Sequence, residues 1–291
     1  VTNCENYGIV EYGEGLNAKD ARVDVAGVVA FTQSTGNVIT GCKNYGTINY
    51  KAKKTNAGEV TLSGICGRPQ SETLIENCEN HGLVHASGST TSGYDIGGII
   101  GGPSGTNVAV KSCKNYGEIR QTGVIKGSTY IGGICGYGYS TFGFDGCENH
   151  GALNIAGSAK DARKTIYAGG IVGWARIPSS NGTTVQEKFF KNCTNYGSIK
   201  GSGNNGGFLG QVGTRKLMNA ENCVNYGDIT SDNNMPGGFA GWCNNSADGI
   251  VTIDGFTNYG VITAGSKQAS ACLAANDNAV SISIKFTCSH N

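Results

Sequence analysis

A chain of 291 residues with 22 basic and 21 acidic side chains, and no block of like charge longer than Lys53-Lys54, offers little to a nucleic acid or an anionic membrane. Glycine, at 48 residues, is more than twice its usual share of about 7%, proline is down to four, and no run of about 18 apolar residues is present. This composition excludes a collagen, a proline-rich stalk and a membrane-spanning helix.

The chain opens on Val1-Thr2-Asn3-Cys4-Glu5-Asn6-Tyr7-Gly8, and the pattern Cys-x-Asn-aromatic-Gly returns along its whole length. Copies begin at Cys42, Cys78, Cys113, Cys147, Cys193 and Cys223, and an eighth reads Phe256-Thr257-Asn258-Tyr259-Gly260. The spacings are 38, 36, 35, 34, 46, 30 and 33 residues, a period of about 35 with one insertion after Cys147. A second motif alternates with the first, as in Gly97-Gly98-Ile99-Ile100-Gly101, Gly132-Gly133-Ile134-Cys135-Gly136 and Gly169-Gly170-Ile171-Val172-Gly173. The repeat predicts a single unit over residues 1–291. Because the chain begins inside a repeat, with no polar cap and no signal peptide, it reads as a piece of a longer surface protein.

Apolar runs are three to six residues long, rich in Ile and Val, and bounded by Gly, Asn or Ser, which predicts strand and turn with almost no helix. Each repeat has three such runs: one ending in the motif cysteine, one after the aromatic-Gly pair, and the Gly-Gly-Ile run. Three short strands per turn predict a parallel β-helix of eight coils, roughly 38 Å long at about 4.8 Å per coil. A β-propeller, with four strands and about 40 to 45 residues per blade, fits less well. Insertions fall at corners, where the words Ala18-Lys19-Asp20-Ala21-Arg22 and Ala159-Lys160-Asp161-Ala162-Arg163 repeat and read as duplicated solvated loops.

Seven of the twelve cysteines share one slot of the repeat, and Phe256 fills it in the eighth. A slot that accepts phenylalanine is a core position, and stacked strands hold neighbouring Cβ atoms parallel and too far apart for a disulfide. The expectation is a buried ladder of reduced thiols, with Cys66 and Cys135 in a second apolar slot, while Cys243, Cys272 and Cys288 leave room for one bridge. The invariant motif asparagine is expected to hydrogen-bond from coil to coil, and the motif glycine to form the bend in a conformation other residues resist.

The aromatic slot holds Tyr7, Tyr45, His81, Tyr116, His150, Tyr196, Tyr226 and Tyr259. Strand alternation from the cysteine onward turns these eight outward, and they are the candidate ligand-binding residues, as a row on which sugar rings or a partner's apolar surface would stack. The competing reading is a packing spine beneath the corner loops. His81 and His150 stand two repeats apart, too far to share one metal, and there is no Cys-x-x-Cys pair; no metal or cofactor is expected. Glu5, Glu79 and Glu148 share a slot with Lys43, Lys114 and Thr194 and read as a solvated face of mixed charge, no acid and base pair clusters in one slot, and no nucleophile elbow, zinc motif or phosphate loop occurs, so no catalytic residue is assigned.

The alternation of Gly-Gly-Ile-x-Gly with Cys-x-Asn-Tyr-Gly-x-Ile resembles the GLUG-type repeats of bacterial surface proteins, frequent in gut Bacteroidetes, over nearly the whole chain. It is more distantly similar to the chlamydial polymorphic membrane proteins. The resemblance implies a right-handed parallel β-helix on a secreted or surface-anchored protein, many of whose relatives are presumed adhesins; cysteine in the first slot departs from what an exported protein would carry. The leading functional expectation is a non-enzymatic binding module for glycans or host surface and matrix proteins. The alternatives are a carbohydrate-active enzyme on a β-helix, such as a polysaccharide lyase or glycosidase, and a structural spacer.

Overall fold

The computed structural model describes the chain except for residues 14–21, 53–57, 91, 104, 140–141, 157–165, 178–189, 215–217, 245–250, 266–268, 271–275, 278–282 and 286–291. Among the described residues there are strands and turns but no helix. Each strand pairs in parallel with its counterpart one coil away, which makes the molecule a parallel β-solenoid and excludes a propeller. Three sheets have eight strands; two of them take one strand from each copy of the first motif, and the third runs from Val38–Thr40, before the second copy, to Ser283–Lys285, past the eighth.

The fourth coil shows the path. Val108–Lys111 leads to the motif strand Lys114–Asn115, Ile119–Gln121 follows the aromatic-Gly pair, Thr129–Gly132 enters the second motif, and Cys135–Tyr139 leaves it. With the two-residue strand Val124–Ile125, which pairs with Ser89–Thr90 of the coil before, this coil has six short strands where the apolar runs predicted three. The motif itself is a two-residue strand, and the Gly-Gly-Ile run is a corner with a strand on either side. The apolar signal merged the last two because nothing polar separates them.

The left-handed turn lies not at the motif glycine, as expected, but five residues before it. The residue before the first slot has left-handed backbone in all eight coils: Asn3, Gly41, Asn77, Ser112, Gly146, Asn192, Asn222 and Gly255, with φ between 49° and 71°. Asparagine and glycine enter this region most readily. The motif glycine has no such backbone. It is glycine because its position abuts the preceding coil: a Cβ on Gly117 would overlap the Gly82 carbonyl and the Asn80 amide.

The motif asparagines form one continuous ladder. The Nδ2 of Asn6, Asn44, Asn80, Asn115, Asn149, Asn195 and Asn225 each donates to the Oδ1 of the next asparagine at 2.7–2.8 Å. The same nitrogen donates its other hydrogen to the carbonyl of the motif glycine two residues on, at 3.0 Å for Asn115 and Gly117. This satisfies amides that are fully buried. The second glycine of each Gly-Gly pair faces the ladder; a Cβ on Gly98 or Gly133 would run into Asn115 or Asn149. The two alternating motifs are thus the two sides of one internal contact.

That contact divides the interior into two apolar compartments. One holds the cysteine slot with Ile39, Ile75, Val110, Phe144, Ile99, Ile134 and their equivalents. The other holds Ile48, Val84, Ile119 and Leu153 against Leu62, Ile96 and Ile131. Nine cysteines are described as free thiols, and all but Cys4 are buried. Burial pushes the thiols of Cys66 and Cys135 well above their ordinary range, which keeps them protonated and inert. Cys243, Cys272 and Cys288 have side chains outside the described residues. In the Cys slot of the last motif, Phe256 meets Phe208 and Phe239 edge to face, at 5.3 and 5.1 Å between ring centroids.

Candidate functional site

From the second motif to the seventh the alternation runs as expected, with cysteine, asparagine, glycine and the later aliphatic residue buried and the aromatic outside, while the first and eighth motifs are partly open. Tyr7, Tyr45, Tyr116, Tyr196, Tyr226 and Tyr259 are between 38% and 70% exposed, so the row is a surface stripe and not a spine under the corners. All eight rings stack on one another. Centroids from Tyr7 through Tyr45, His81, Tyr116, His150, Tyr196 and Tyr226 to Tyr259 lie 4.6–5.2 Å apart, with planes within 18° of parallel.

This stacking corrects one expectation. The faces of the inner rings are occupied by their neighbours, so the stripe has no free face on which a sugar would stack. It presents ring edges, phenol hydroxyls and two imidazole edges. His81 Nε2 meets Glu79 at 2.8 Å, and His150 Nε2 meets Glu148 at 2.8 Å. Each glutamate is also paired with a lysine of the preceding coil, Lys43 at 3.2 Å and Lys114 at 3.1 Å. The hydrogen bond to His81, with Lys43 beside it, holds the Glu79 carboxyl below its ordinary range. The Tyr116 ring stands between the two histidines, and no three His, Cys, Asp or Glu side chains among the described residues come together as a metal set.

A second line of side chains runs along the Gly-Gly-Ile corner. The strand entering the corner turns Asp24, Thr61, Asp95, Tyr130, Tyr167 and Asn204 away from the core, in register coil by coil. The strand leaving it turns out Phe31, Arg68, Tyr137, Trp174, Gln211 and Trp242. The two rows lie against each other because the closing glycine of the motif packs on bare backbone. A Cβ on Gly136 would overlap the amide of Ile96.

The first half of this groove is charged. Arg68 donates to Asp24 at 2.7 Å and lies over the Phe31 ring at 4.5 Å, while Thr61 donates its hydroxyl to Asp24. The second half is aromatic: Tyr130 meets Tyr137, Tyr167 and Trp174 at centroid separations of 5.3, 5.7 and 4.8 Å. Asp95, at the junction, is 2% exposed, and its Oδ2 has no hydrogen-bond partner. Burial pushes its carboxyl from 3.8 up to about 8, against the pull of the Arg22 guanidinium and with the Asp24 charge adding to the rise. Asp24 and Asp95 do not form a working acid and base pair, since Asp24 is committed to Arg68 and Thr61 and Asp95 is enclosed.

A raised folded-state pKa means that the folded chain holds this proton where the unfolded chain has lost it, so Asp95 costs the fold progressively more as pH rises from about 4 to about 8. Asp95→Asn is therefore expected to raise stability by a few kcal/mol at pH 8 and by little at pH 4. Denaturant unfolding across that range checks it; equal gains at both ends would contradict the enclosed carboxyl.

Comparison with models of protein families, with curated proteins and with solved structures finds no match to this chain. The solenoid rests on its own register, and the comparisons lend no support to the resemblance to GLUG-type repeats.

Reading the sequence singled out the stripe and missed the groove. Its signal is present: the residue two before each Gly-Gly pair and the residue after each closing glycine are enriched in Asp, Arg, Tyr and Trp. Treating the corner as one strand hid the symmetry of those two positions. The duplicated Ala-Lys-Asp-Ala-Arg words lie outside the described residues, apart from Arg22.

Proposed function

We propose that this chain is a recognition module of a cell-surface or secreted protein, a β-solenoid of the GLUG-repeat type that binds glycans or host surface and matrix proteins without acting on them chemically. The observation that carries this reading is the eight-ring stripe open to solvent along the whole rod. An exposed aromatic surface of that length is rarely retained without a partner. Tyrosine suits contact surfaces because it combines a large rigid area with a hydroxyl and loses little conformational freedom on binding. Edges and hydroxyls repeated about every 4.8 Å suit an elongated partner laid along the axis, and the neighbouring glutamates and lysines form its polar rim.

The test is binding of the chain to an array of glycans and matrix proteins, beside the variant Tyr116→Ala, Tyr196→Ala, Tyr226→Ala. Saturable binding by the parent, weakened at least about tenfold in a still-folded variant, is the expected result. Undiminished binding would move recognition off the stripe. No binding to any probe would favour the spacer.

A further inference from the structure

The sheet that leads into the motifs carries a row of alternating charge on its outer face. Thr40, Glu76, Lys111, Asp145, Lys191 and Glu221 stand in register on successive coils, about 4.8 Å apart. The motif row beside it has the same alternation, and there the charges close on each other, Lys43 on Glu79 at 3.2 Å and Lys114 on Glu148 at 3.1 Å. On this face they stay apart. Among the described residues Glu76, Lys111, Asp145 and Lys191 form no ion pair, and the Asp145 carboxylate accepts from the Asn192 amide at 3.2 Å. Lys111 and Asp145 are exposed, and Glu76 and Lys191 are half-buried. The same strands turn out a second, apolar row, Val38, Leu74, Ala109 and Gly143, in which Val38 is 49% exposed. At Ala109 and Gly143 the face is hollowed: a cavity of about 280 Å³ opens there, lined by Ala109, Lys111, Gly143, Phe144, Asp145 and Lys191.

We infer that this face binds a second copy of the chain, in a closed pair of antiparallel rods, with Lys111 on the partner's Asp145 and Glu76 on the partner's Lys191. The row is complementary to its own reverse. A two-fold axis lying along the strands, midway between the coils of Lys111 and Asp145, turns the row end for end, so both contacts occur twice and Thr40 falls on the partner's Glu221 with no like charges opposed. An axis half a coil away, on a rung, sets Lys111 against the partner's Lys111 or Asp145 against the partner's Asp145. Rods closed in the same sense bring each coil level with its own copy, like charge by like. The central position is also where the face is hollow, which gives the side chains of the two Lys111 and Asp145 pairs room between the sheets and shelter from water, where an ion pair gains strength. Val38 and Leu74 add apolar area away from the axis. The contact runs about 24 Å along the rod, so the pair is a weak one. Because the axis follows the strands, it keeps the motif corners of both copies on one flank, and the two aromatic stripes lie on that flank, running in opposite senses. The inference does not rest on the recognition reading, but a pair would offer a partner two stripes at once.

The experiment is analytical sedimentation of the whole chain between about 1 and about 200 µM, at about 50 and about 500 mM salt. A monomer that becomes a dimer with rising concentration at low salt is expected, its dissociation constant raised about tenfold or more at high salt. Lys111→Glu and Asp145→Lys change exposed side chains and leave the core alone. Each sets like charges opposite one another at both central contacts and should weaken the dimer at least about tenfold. The two single variants, mixed in equal amounts, should pair with each other within about threefold of the parent, since each supplies the charge that the other lacks. The double variant Lys111→Glu, Asp145→Lys should recover in the same way. The triple tyrosine variant of the stripe should dimerise unchanged. A monomer at every concentration, a dimer indifferent to Lys111→Glu, or two single variants that stay apart when mixed overturns the interface.

Discussion

Asn115→Asp is expected to destabilise the solenoid by about 3–5 kcal/mol, although it changes one side-chain nitrogen to oxygen. The Nδ2 of Asn115 donates to the Gly117 carbonyl at 3.0 Å and to Asn149 Oδ1 at 2.8 Å, and its Oδ1 accepts from Asn80 at 2.8 Å. A carboxylate would place an oxygen against two acceptors in a fully buried position, with no cation in reach. Protonation recovers one donor where two are needed, so acid would restore the loss only in part. The outward neighbour supplies the control: Lys114→Ala removes a pair half open to water and should cost no more than about 1 kcal/mol. Urea unfolding of the two variants makes the comparison. A cost below about 1 kcal/mol for Asn115→Asp would mean that strand pairing alone closes the coils.

Gly117→Ala should be nearly as damaging, by about 3 kcal/mol or more. Overpacking commonly costs about 1–3 kcal/mol, and the obstruction here is backbone, which cannot rotate aside. An added methyl would overlap the Gly82 carbonyl, so the coil spacing itself must open. Gly143→Ala is the contrast, because a methyl there meets nothing within 4 Å. At that position the restricted unfolded chain should dominate and give a gain of about 0.4–1 kcal/mol. Thermal unfolding of both variants separates a steric cause from a conformational one, since neither glycine has a left-handed φ. Equal losses would point to a general need for glycine flexibility.

These two substitutions also show what was legible before any coordinates. The even return of Cys-x-Asn-Tyr-Gly was enough to foresee a parallel solenoid, its eight coils, the buried thiols, the amide ladder and the outward stripe, because strand alternation and coil stacking are local rules. The reason for the motif glycine was not legible, since it is a collision between coils about 35 residues apart in sequence. Nor was the stacking of the stripe, which depends on how neighbouring coils tilt rings such as Tyr116 and His150. The groove escaped because Asp95 and Tyr137 meet only once Gly97-Gly98-Ile99 is known to be a corner. Arg68 and Tyr137 look unrelated in the sequence and fall on one row, two rungs apart, through the register alone.

The amide ladder also gives the rod a direction. Every rung points the same way, each Nδ2 reaching toward the coil that follows, so the side-chain dipoles add along the axis instead of cancelling. At the first rung, Asn6 directs its Oδ1 to the amide of Gly8, and at the last, Asn258 directs its Nδ2 to the Gly260 carbonyl. Between these two rungs the column is therefore polar, so coils stack on it in one sense only: a coil laid in the opposite sense would set donor against donor or acceptor against acceptor.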